Sequence, residues 1–357
     1  MFTESDAYPL FLMTDDTGMI QHSNFAVPDP KSGYTTDDNA RALICAVMLY
    51  EKYRSTKYLK LIFVYLSFLT YAQNDDGYFK NFMNYNRNFI EERGSEDCFG
   101  RCLWSLGFTM NSKFLDKNIK YSSLKLVKSA IKQSNKLSSL HGMAYSLIGL
   151  CLVYASITSS IINDFGCKRD KLISIKNTSM QQITSLSDHI CSSFTKNSDE
   201  CWSWYDSQLT YSNSIIPFSL IKSYHITKDK KYLLTATKSL SFLDKVHFKN
   251  DFFKPVGCKG WYKKGDTSPA EFDEQPVEAC SSALLYKEAY KTTGNTLYKT
   301  RLNLCLKWFT GKNSKMTSLV NPVTKGCFDG ITESEINLNS GAESIISKIL
   351  TQLVCEI

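Results

Sequence analysis

This sequence of 357 residues has no uninterrupted hydrophobic run of membrane-spanning length and no basic flank at its start. The apolar stretch Leu61–Ala72 contains Tyr65, Ser67 and Thr70, and it is shorter than the roughly 20 apolar residues that cross a bilayer. Residues Met1–Asp16 include acidic but no basic side chains, whereas a secretory signal carries positive charge before its apolar segment. We therefore expect neither a membrane partner nor a secretory signal.

Clustered positive charge is also lacking, although the net charge is +7. The lysines are scattered along predicted helices, and no block of consecutive basic residues alternates with aromatic residues. Nucleic-acid-binding surfaces usually concentrate their basic residues. The composition therefore indicates a solvated helical surface and no nucleic-acid partner.

Several catalytic motifs have no counterpart in the sequence. It contains no Walker phosphate loop, no dinucleotide glycine fingerprint, no nucleophile-elbow serine and no zinc-binding histidine pair. Asn74–Phe79 and Thr14–Gly18 lack the alternating ligands of a helix-loop-helix calcium site. We therefore expect no cofactor and no metal. The five histidines are few for a sugar epimerase.

Cysteine, by contrast, is abundant, with twelve residues. Free cysteine packs as a small hydrophobic residue, and five cysteines lie in apolar helical patterns: Cys45, Cys151, Cys191, Cys280 and Cys305. Cys98 and Cys102 are one helical turn apart, with no companion pair that would indicate a zinc site. We predict free thiols, a reducing compartment and therefore a cytoplasmic protein.

Helical periodicity dominates the rest of the sequence. Apolar residues at three- and four-residue steps predict eleven helices and no strand pairs: Asp38–Tyr53, Tyr58–Gln73, Glu96–Met110, Ile119–Gln133, Leu140–Ser156, Leu172–Phe194, Ser212–His225, Lys231–Val246, Pro276–Thr292, Thr296–Phe309 and Ala342–Val354.

Short and long connections alternate between these helices. Polar turns such as Arg54–Lys57 join antiparallel neighbours, whereas long returns such as Asn74–Ser95 and His247–Gln275 are rich in aromatic, glycine and acidic residues. Loops of this length and aromatic content are more often functional than disordered. The pattern predicts one domain, residues 1–357, formed by a closed ring of helical hairpins on which residues 1–36 pack. A solenoid is the alternative, although its repeats are shorter and more regular.

Acidic residues open three of the predicted helices. In the segment GYTTDDNAR at 33–41, Thr36 or Asp37 fits the N-cap, and the neighbouring acid can face the ring because adjacent helical residues point about 100° apart. Pro276 suits the first position of the ninth helix. The candidate catalytic residues are Asp37, Asp38, Asp97, Glu274 and Glu278.

Aromatic and polar residues near these acids suit a carbohydrate ligand. A pyranose ring presents an apolar C–H face and polar edges, so it binds flat aromatic surfaces beside hydrogen-bonding groups. The candidate substrate-binding residues are Tyr34, Arg41, Arg101, His141, Trp204, Tyr205, Asn213, Trp261 and Glu343.

The ring brings these residues together, because alternate helices share one orientation and their N-termini face one mouth. Helix dipoles favour ionised carboxylates there, so a general acid needs desolvation or a carboxylate neighbour to stay protonated. We predict that Asp38 is the charged base and that its partner is Asp97, Glu274 or Glu278. Glu274 or Glu278, beside Trp261, best fits the acid.

A resemblance to a known family rests on six segments: Thr14–Gln21, Gly33–Ala42, Asn74–Asn81, Glu96–Arg101, Trp202–Asn213 and Asn339–Glu343. The family is an uncharacterised bacterial one whose members often occur beside glycosyltransferases and mannoside phosphorylases, and it resembles the six-hairpin glycosidase superfamily. The resemblance implies an all-α (α/α)6 toroid with twelve helices. Because eleven are predicted, either residues 1–36 close the ring or the ring lacks its last helix. In some toroid glycosidases, such as endo-α-mannanases, consecutive aspartates are the catalytic carboxylates.

Three functions follow from these expectations. The first is a glycoside hydrolase acting through a carboxylate pair on an oligosaccharide or polysaccharide that contains mannose or glucose. The second is a polysaccharide lyase or sugar isomerase that uses His141, Tyr211 and Asn213. The third is a non-catalytic glycan-binding or scaffold partner of a glycosyltransferase or glycoside phosphorylase, which predicts aromatic residues at the mouth without two convergent acids.

Overall fold

The computed structural model describes residues 2–159, 169–248 and 251–356. Helices dominate these ranges: α1 (Tyr8–Leu12), α2 (Thr36–Tyr53), α3 (Thr56–Ala72), α4 (Glu96–Asn111), α5 (Lys117–Ala130), α6 (Leu140–Thr158), α7 (Arg169–Asn197), α8 (Ile215–Thr227), α9 (Lys230–His247), α10 (Pro276–Thr293), α11 (Thr296–Trp308) and α12 (Ala342–Glu356). Eight two-residue strands form four antiparallel pairs: β1 (Ser23–Asn24) with β2 (Val27–Pro28), β3 (Tyr34–Thr35) with β4 (Phe82–Met83), β5 (Gln208–Leu209) with β6 (Tyr262–Lys263), and β7 (Gly330–Ile331) with β8 (Ile336–Asn337).

The helices form two concentric layers. The even-numbered helices α2 to α12 make the inner ring, in which each packs on the next and α12 packs back on α2. Helices α3, α5, α7, α9 and α11 pack outside, each against the inner helix that precedes it. Helix α6 is long and apolar enough by composition to span a membrane, and its place between α4 and α8 in the inner ring accounts for that composition.

The N-terminal segment supplies the helix that the sequence pattern missed. Helix α1, with the 3-10 turn Glu4–Ala7 before it, packs on α12. The Phe2 amide donates to the Glu356 carboxylate, which also pairs with Lys52 of α2. Of the two alternatives for the twelfth helix, the structure therefore has the first, a helix within residues 1–36. A five-residue helix is too short to show a 3.6-residue period, so the apolar pattern does not predict it.

Glycines let α4 and α6 approach closely. A Cβ atom added to Gly107 would lie 2.5 Å from the Gly149 carbonyl oxygen, and one added to Gly149 would lie 2.5 Å from the Leu103 carbonyl. Real side chains never make such contacts, so any residue larger than glycine would push the helices apart. Their close packing brings Arg101 of α4 within 3.3 Å (Nη2 to hydroxyl) of Tyr145 on α6.

All eleven cysteines within the described ranges are free, and eight of them are buried. We expect twelve thiols to react with a thiol reagent when the chain, Cys167 included, is denatured without reductant. Packing explains the buried cysteines without any disulfide. Titration with Ellman's reagent, before and after reduction, measures this, and finding six or more cysteines already bridged would contradict the prediction of a reducing compartment.

Candidate functional site

The site begins with the cap of α2. The Thr35 hydroxyl accepts the Asp38 amide hydrogen at 3.2 Å and donates to Asp38 Oδ2 at 2.6 Å. The prediction that Thr36 or Asp37 caps this helix is therefore wrong, because the cap is one residue earlier and the Thr36 hydroxyl donates to the Lys80 carbonyl. Neither aspartate side chain is used as the cap, so both are left for the mouth of the ring.

Two arginines hold the consecutive aspartates. Nη2 of Arg41 lies 2.9 Å from Asp37 Oδ1 and 2.7 Å from Asp38 Oδ1, and its Nη1 lies 2.9 Å from Glu343 Oε2. Arg101 Nη1 lies 2.5 Å from Asp37 Oδ2. The two oxygens that share Nη2 are thus at most about 5.6 Å apart. This upper limit is compatible with the spacing of roughly 5 to 5.5 Å in retaining glycosidases and lies below the roughly 6.5 to 9.5 Å of inverting ones.

The two aspartates differ in their affinity for a proton. Burial opposes the charged form of Asp37, but Arg101 and Arg41 outweigh it and lower the pKa of that carboxyl. Burial dominates at Asp38 and, with the charge of Asp37, raises its pKa to about 7 against the pull of Arg41. Below about pH 7 the pair therefore holds one ionised and one protonated carboxyl. The prediction that Asp38 is the permanently charged base is wrong on this count, because Arg101 contacts Asp37 and not Asp38.

Two adjoining cavities open beside the pair, with volumes of about 340 and 650 Å³. Ligand sites usually fall in or near this range. Both cavities are lined by Asp37, Asn81, Phe82 and Glu343. The Asn81 side chain accepts the Asp37 amide hydrogen at 3.1 Å, so the loop after α3 is fixed to the start of α2.

An aromatic cluster borders the second cavity, which Asp97 and Tyr211 line together. The Tyr211 hydroxyl donates to Asp97 Oδ2 at 2.9 Å. His141 stacks on the Tyr211 ring with centroids 4.4 Å apart, and its Nε2 lies 2.7 Å from the Tyr211 carbonyl oxygen. Trp261 lies 6.5 Å from the same ring. Burial lowers the pKa of His141, so this imidazole is neutral at pH 7.

Glu278 lies beneath this cluster and is 1% exposed. Its Oε1 accepts the Ser212 amide hydrogen at 2.5 Å, whereas its Oε2 has no partner among the described residues. Ser212 has a φ of 45°, a left-handed conformation that is uncommon for a residue with a side chain. Glu278 thus holds the turn that presents Tyr211 to the cavity, and burial raises its pKa to about 8.

Replacing Glu278 with glutamine is expected to change how stability depends on pH. A carboxyl whose folded pKa is raised to about 8 stabilises the fold less as pH rises from its ordinary value through 8. The wild-type melting temperature should therefore fall relative to that of Glu278→Gln between pH 5 and 8, as measured by differential scanning fluorimetry. Parallel curves of melting temperature against pH for the two proteins would contradict a buried proton on Glu278.

A second variant tests the hydrogen bond of Glu278. Glu278→Leu, which leaves the Ser212 amide unpaired, should be about 1–3 kcal/mol less stable than Glu278→Gln.

Glu274, a predicted catalytic acid, serves the structure instead. It is fully buried, and its carboxylate accepts from Lys254 Nζ at 2.7 Å, from Trp308 Nε1 at 2.9 Å and from the Ser314 hydroxyl. It lines neither cavity at the mouth. Both carboxylate oxygens accept hydrogen bonds that join the loop before α10 to α11 and to the loop after α11, which is a structural role.

Four predicted substrate contacts also lie in the core. Trp204 and Tyr205 pack on α9, where the Tyr205 hydroxyl pairs with that of Ser239. The Asn213 amide closes its own turn by bonding both backbone groups of Thr210. Tyr34 is buried and donates to Asp15 Oδ2 at 2.6 Å. The structure therefore brings together nine of the predicted residues at or directly below the mouth: Asp37, Asp38, Arg41, Asp97, Arg101, His141, Trp261, Glu278 and Glu343.

Further lining residues come from loops without periodicity: Gln21, His22, Asn81, Phe82, Glu91, Gln275 and Asp329. Asp329 caps α12 by accepting the Gly341 amide hydrogen at 2.7 Å. Asn81 is the last residue of one of the segments that resemble a known family, and that resemblance is the sequence feature that indicates it. No group of three or more potential metal-ligating side chains was found in the described ranges.

Several solved structures have a similar fold. No protein-family model matches it, and no curated protein matches it by sequence. A cellobiose 2-epimerase from Bacillus thermoamylovorans is similar over 99% of this chain and 98% of its own, with a TM-score of 0.70 and 10% identity. A D-mannose isomerase is similar over 99% and 96%, with a TM-score of 0.65 and 10% identity.

A third similar structure is an α-1,6-mannanase from a Salegentibacter species. It covers 99% of this chain and 98% of its own, with a TM-score of 0.60 and 10% identity. The structure is of an inactive variant in which two aspartates adjacent in sequence are replaced by asparagine, in complex with α-1,6-mannotriose. At this level of identity these likenesses establish the fold, an (α/α)6 toroid, and the prediction of that fold is confirmed.

Proposed function

We propose that this (α/α)6 toroid is a retaining glycoside hydrolase that acts on an oligosaccharide containing mannose or glucose. Asp37 is the nucleophile and Asp38 is the general acid and base. The proposal rests on the pair of carboxyls. One arginine nitrogen bridges them, and their pKa values are shifted in opposite directions, lowered for Asp37 and raised for Asp38.

Asp37 has the properties of a nucleophile. It must be ionised to attack the anomeric carbon, and Arg41 and Arg101 favour that form. Its side chain is 17% exposed, against 6% for Asp38, and it lines both cavities. The same arginines keep the carboxylate in one orientation, which lowers the entropic cost of aligning it with the sugar.

Asp38 supplies the proton. A leaving glycosidic oxygen needs a carboxylic acid that is still protonated at the working pH, and the raised pKa of Asp38 meets this requirement. After the glycosyl group is transferred to Asp37, Asp38 is the base that activates water. The Thr35 hydroxyl, 2.6 Å from Oδ2, fixes the side chain for both steps.

The electrostatics of the mouth favour an uncharged sugar. Seven acids line the two cavities, against two arginines: Asp37, Asp38, Glu91, Glu96, Asp97, Asp329 and Glu343. A uronate or sulfated sugar would be repelled, which disfavours a polysaccharide lyase. The Tyr211 ring beside Trp261 suits the apolar face of a neutral pyranose. The adjacent aspartates and mannotriose ligand of the similar mannanase point in the same direction.

A sugar epimerase or isomerase is the second candidate, because structures with those activities have the higher TM-scores. Tyr211, hydrogen-bonded to Asp97 and next to His141, is the proton-transfer group that such a reaction would use. The Nε2 of His141 is already engaged by a carbonyl, which leaves this candidate with fewer free acid–base groups than the hydrolase. A non-catalytic glycan-binding role predicted no convergent acids, and the site has them.

The cellular setting is also part of the proposal. Free cysteines are compatible with the cytoplasm, and the resemblance to proteins that occur beside glycosyltransferases and mannoside phosphorylases suggests such an enzyme as a partner. Copurification of the full chain with the product of an adjacent gene is the direct test. Absence of a complex at micromolar concentration would remove the partner and leave the hydrolase proposal intact.

The hydrolase is tested by incubating the full chain with manno-, gluco- and galacto-oligosaccharides and following the products by ¹H NMR. We expect a neutral manno- or gluco-oligosaccharide to be cleaved, with the configuration of the anomeric proton retained in the first product. A product of the same chain length but changed at C2 would support the epimerase instead. An inverted product would exclude Asp37 as the nucleophile.

A further inference from the structure

The end of the ring opposite the proposed catalytic mouth contains a third cavity, of about 160 Å³. It lies among the inner helices, and each of the six contributes an apolar side chain: Met48, Trp104, Leu152, Phe218, Leu284 and Val354. An apolar cavity of about 150 Å³ is large enough to bind benzene. The space therefore suits an apolar body of that order of size.

The rim of this cavity is positively charged. Lys222 is paired with Glu288 at 3.2 Å, but Lys287 and Lys291 have no ion pair within the part of the chain that the structure describes. These two lysines are one helical turn apart on α10, a spacing at which like charges repel. Burial and the charge of Lys291 lower the pKa of Lys287. An anion between the two lysines would relieve both effects.

We infer that this cavity binds a small anionic amphiphile, a monocarboxylate whose apolar body has about six to eight carbon atoms. The body lies among the apolar side chains of the inner ring. The carboxylate is met by Lys287 and Lys291, whose aliphatic stems line the cavity wall while their ammonium groups stay at the rim. The site is independent of the proposed hydrolase, since it shares no lining residue with the mouth.

Octanoate is the probe, and isothermal titration calorimetry on the full chain measures its binding. We expect a Kd of about 0.1 to 1 mM and a rise in melting temperature with octanoate concentration. Butanoate, which lacks the apolar body, and octylamine, which reverses the charge, should bind at least about tenfold more weakly. The inference would be overturned if octylamine bound as tightly as octanoate. It would also be overturned if no octanoate binding were detected at concentrations about tenfold above the expected Kd range.

Variants locate the binding. Lys287→Gln with Lys291→Gln should weaken octanoate binding by about tenfold, the combined effect of losing two charge contacts at the rim. The control replaces two exposed lysines of α5, Lys125→Gln with Lys128→Gln, and should bind as the wild type does. Leu284→Trp should fill the cavity and abolish binding without loss of helical circular dichroism. If the α10 double variant binds octanoate as tightly as the control, the lysines only offset the helix dipole and the inference fails.

Discussion

Replacing Asp37 with asparagine is expected to lower kcat by about 10³- to 10⁵-fold while the fold is retained. The amide preserves the shape of the side chain, and its one oxygen still accepts a hydrogen bond from Arg41 or Arg101, but it cannot attack the anomeric carbon. The change is measured by turnover of the oligosaccharide that the substrate panel identifies, or of an aryl mannoside. Near-UV circular dichroism reports whether packing around the mouth is preserved.

Glu343→Gln is the matched control for this variant. Glu343 also contacts Arg41, at 2.9 Å, but its side chain is 40% exposed and it contacts neither aspartate. We expect its loss to change kcat by less than about tenfold, as for an exposed ion pair. Added azide should restore turnover of an activated aryl glycoside by Asp37→Asn with inversion at the anomeric carbon, because the small anion enters where the carboxylate stood. A fully active Asp37→Asn protein would exclude the nucleophile assignment.

The ring of helices was predictable because it results from a periodic pattern of apolar residues. Apolar residues recur every three or four positions in each long helix, and short turns alternate with long returns, so the sequence specifies hairpins and the face on which the returns meet. Helix α1 was not predictable in this way, since five residues carry no period. The helix Leu140–Thr158 is hydrophobic on nearly every side, so it fits only the inner layer of the ring.

The charged residues of the mouth were predictable where helix geometry places them. Asp37, Asp38, Arg41 and Arg101 lie in the first two turns of inner helices, so the ring forces them together. The division of labour between the aspartates was not predictable. It depends on Arg101 of α4 reaching Asp37 and not Asp38, which follows from how closely α4 packs against its neighbours.

The loop residues were misassigned for a different reason. Trp204 and Tyr205 lie in a long return with the composition of a ligand-binding loop, yet both pack on α9 below the rim. Composition does not say which side of a loop faces the cavity. Glu274 is a similar case, because only the fold shows that Lys254 and Trp308 surround its carboxylate. Of the aromatic residues in the return that contains Trp204, Tyr211 is the one that lines the cavity.

Replacing Asp38 with asparagine should remove one limb of the pH profile. With a pKa raised to about 7, the acid loses its proton as pH rises through 7, so wild-type kcat/KM should fall above that pH. On the acid side, activity should persist until Asp37 is protonated, below its ordinary pKa of 3.8, because the two arginines lower its pKa. In Asp38→Asn the alkaline limb near 7 should disappear, whereas Glu343→Gln should keep it. If the alkaline limb survived in Asp38→Asn, the proton would come from another group. Glu278 would be the first candidate, because its pKa is also raised, to about 8.

The loss of rate in Asp38→Asn should depend on the leaving group, which separates an acid from a merely structural residue. For an unactivated glycoside, which needs a proton on its leaving oxygen, we expect kcat/KM to fall by about 10²- to 10⁴-fold. For a dinitrophenyl glycoside, which needs none, kcat/KM should change by less than about tenfold, since Asp37 still attacks. Azide should then accelerate the second step and yield a glycosyl azide of retained configuration, because it replaces the water that Asp38 would have activated. Equal losses for both leaving groups would mean that Asp38 only positions Arg41. The general acid would then be a residue outside the Asp37–Asp38 pair.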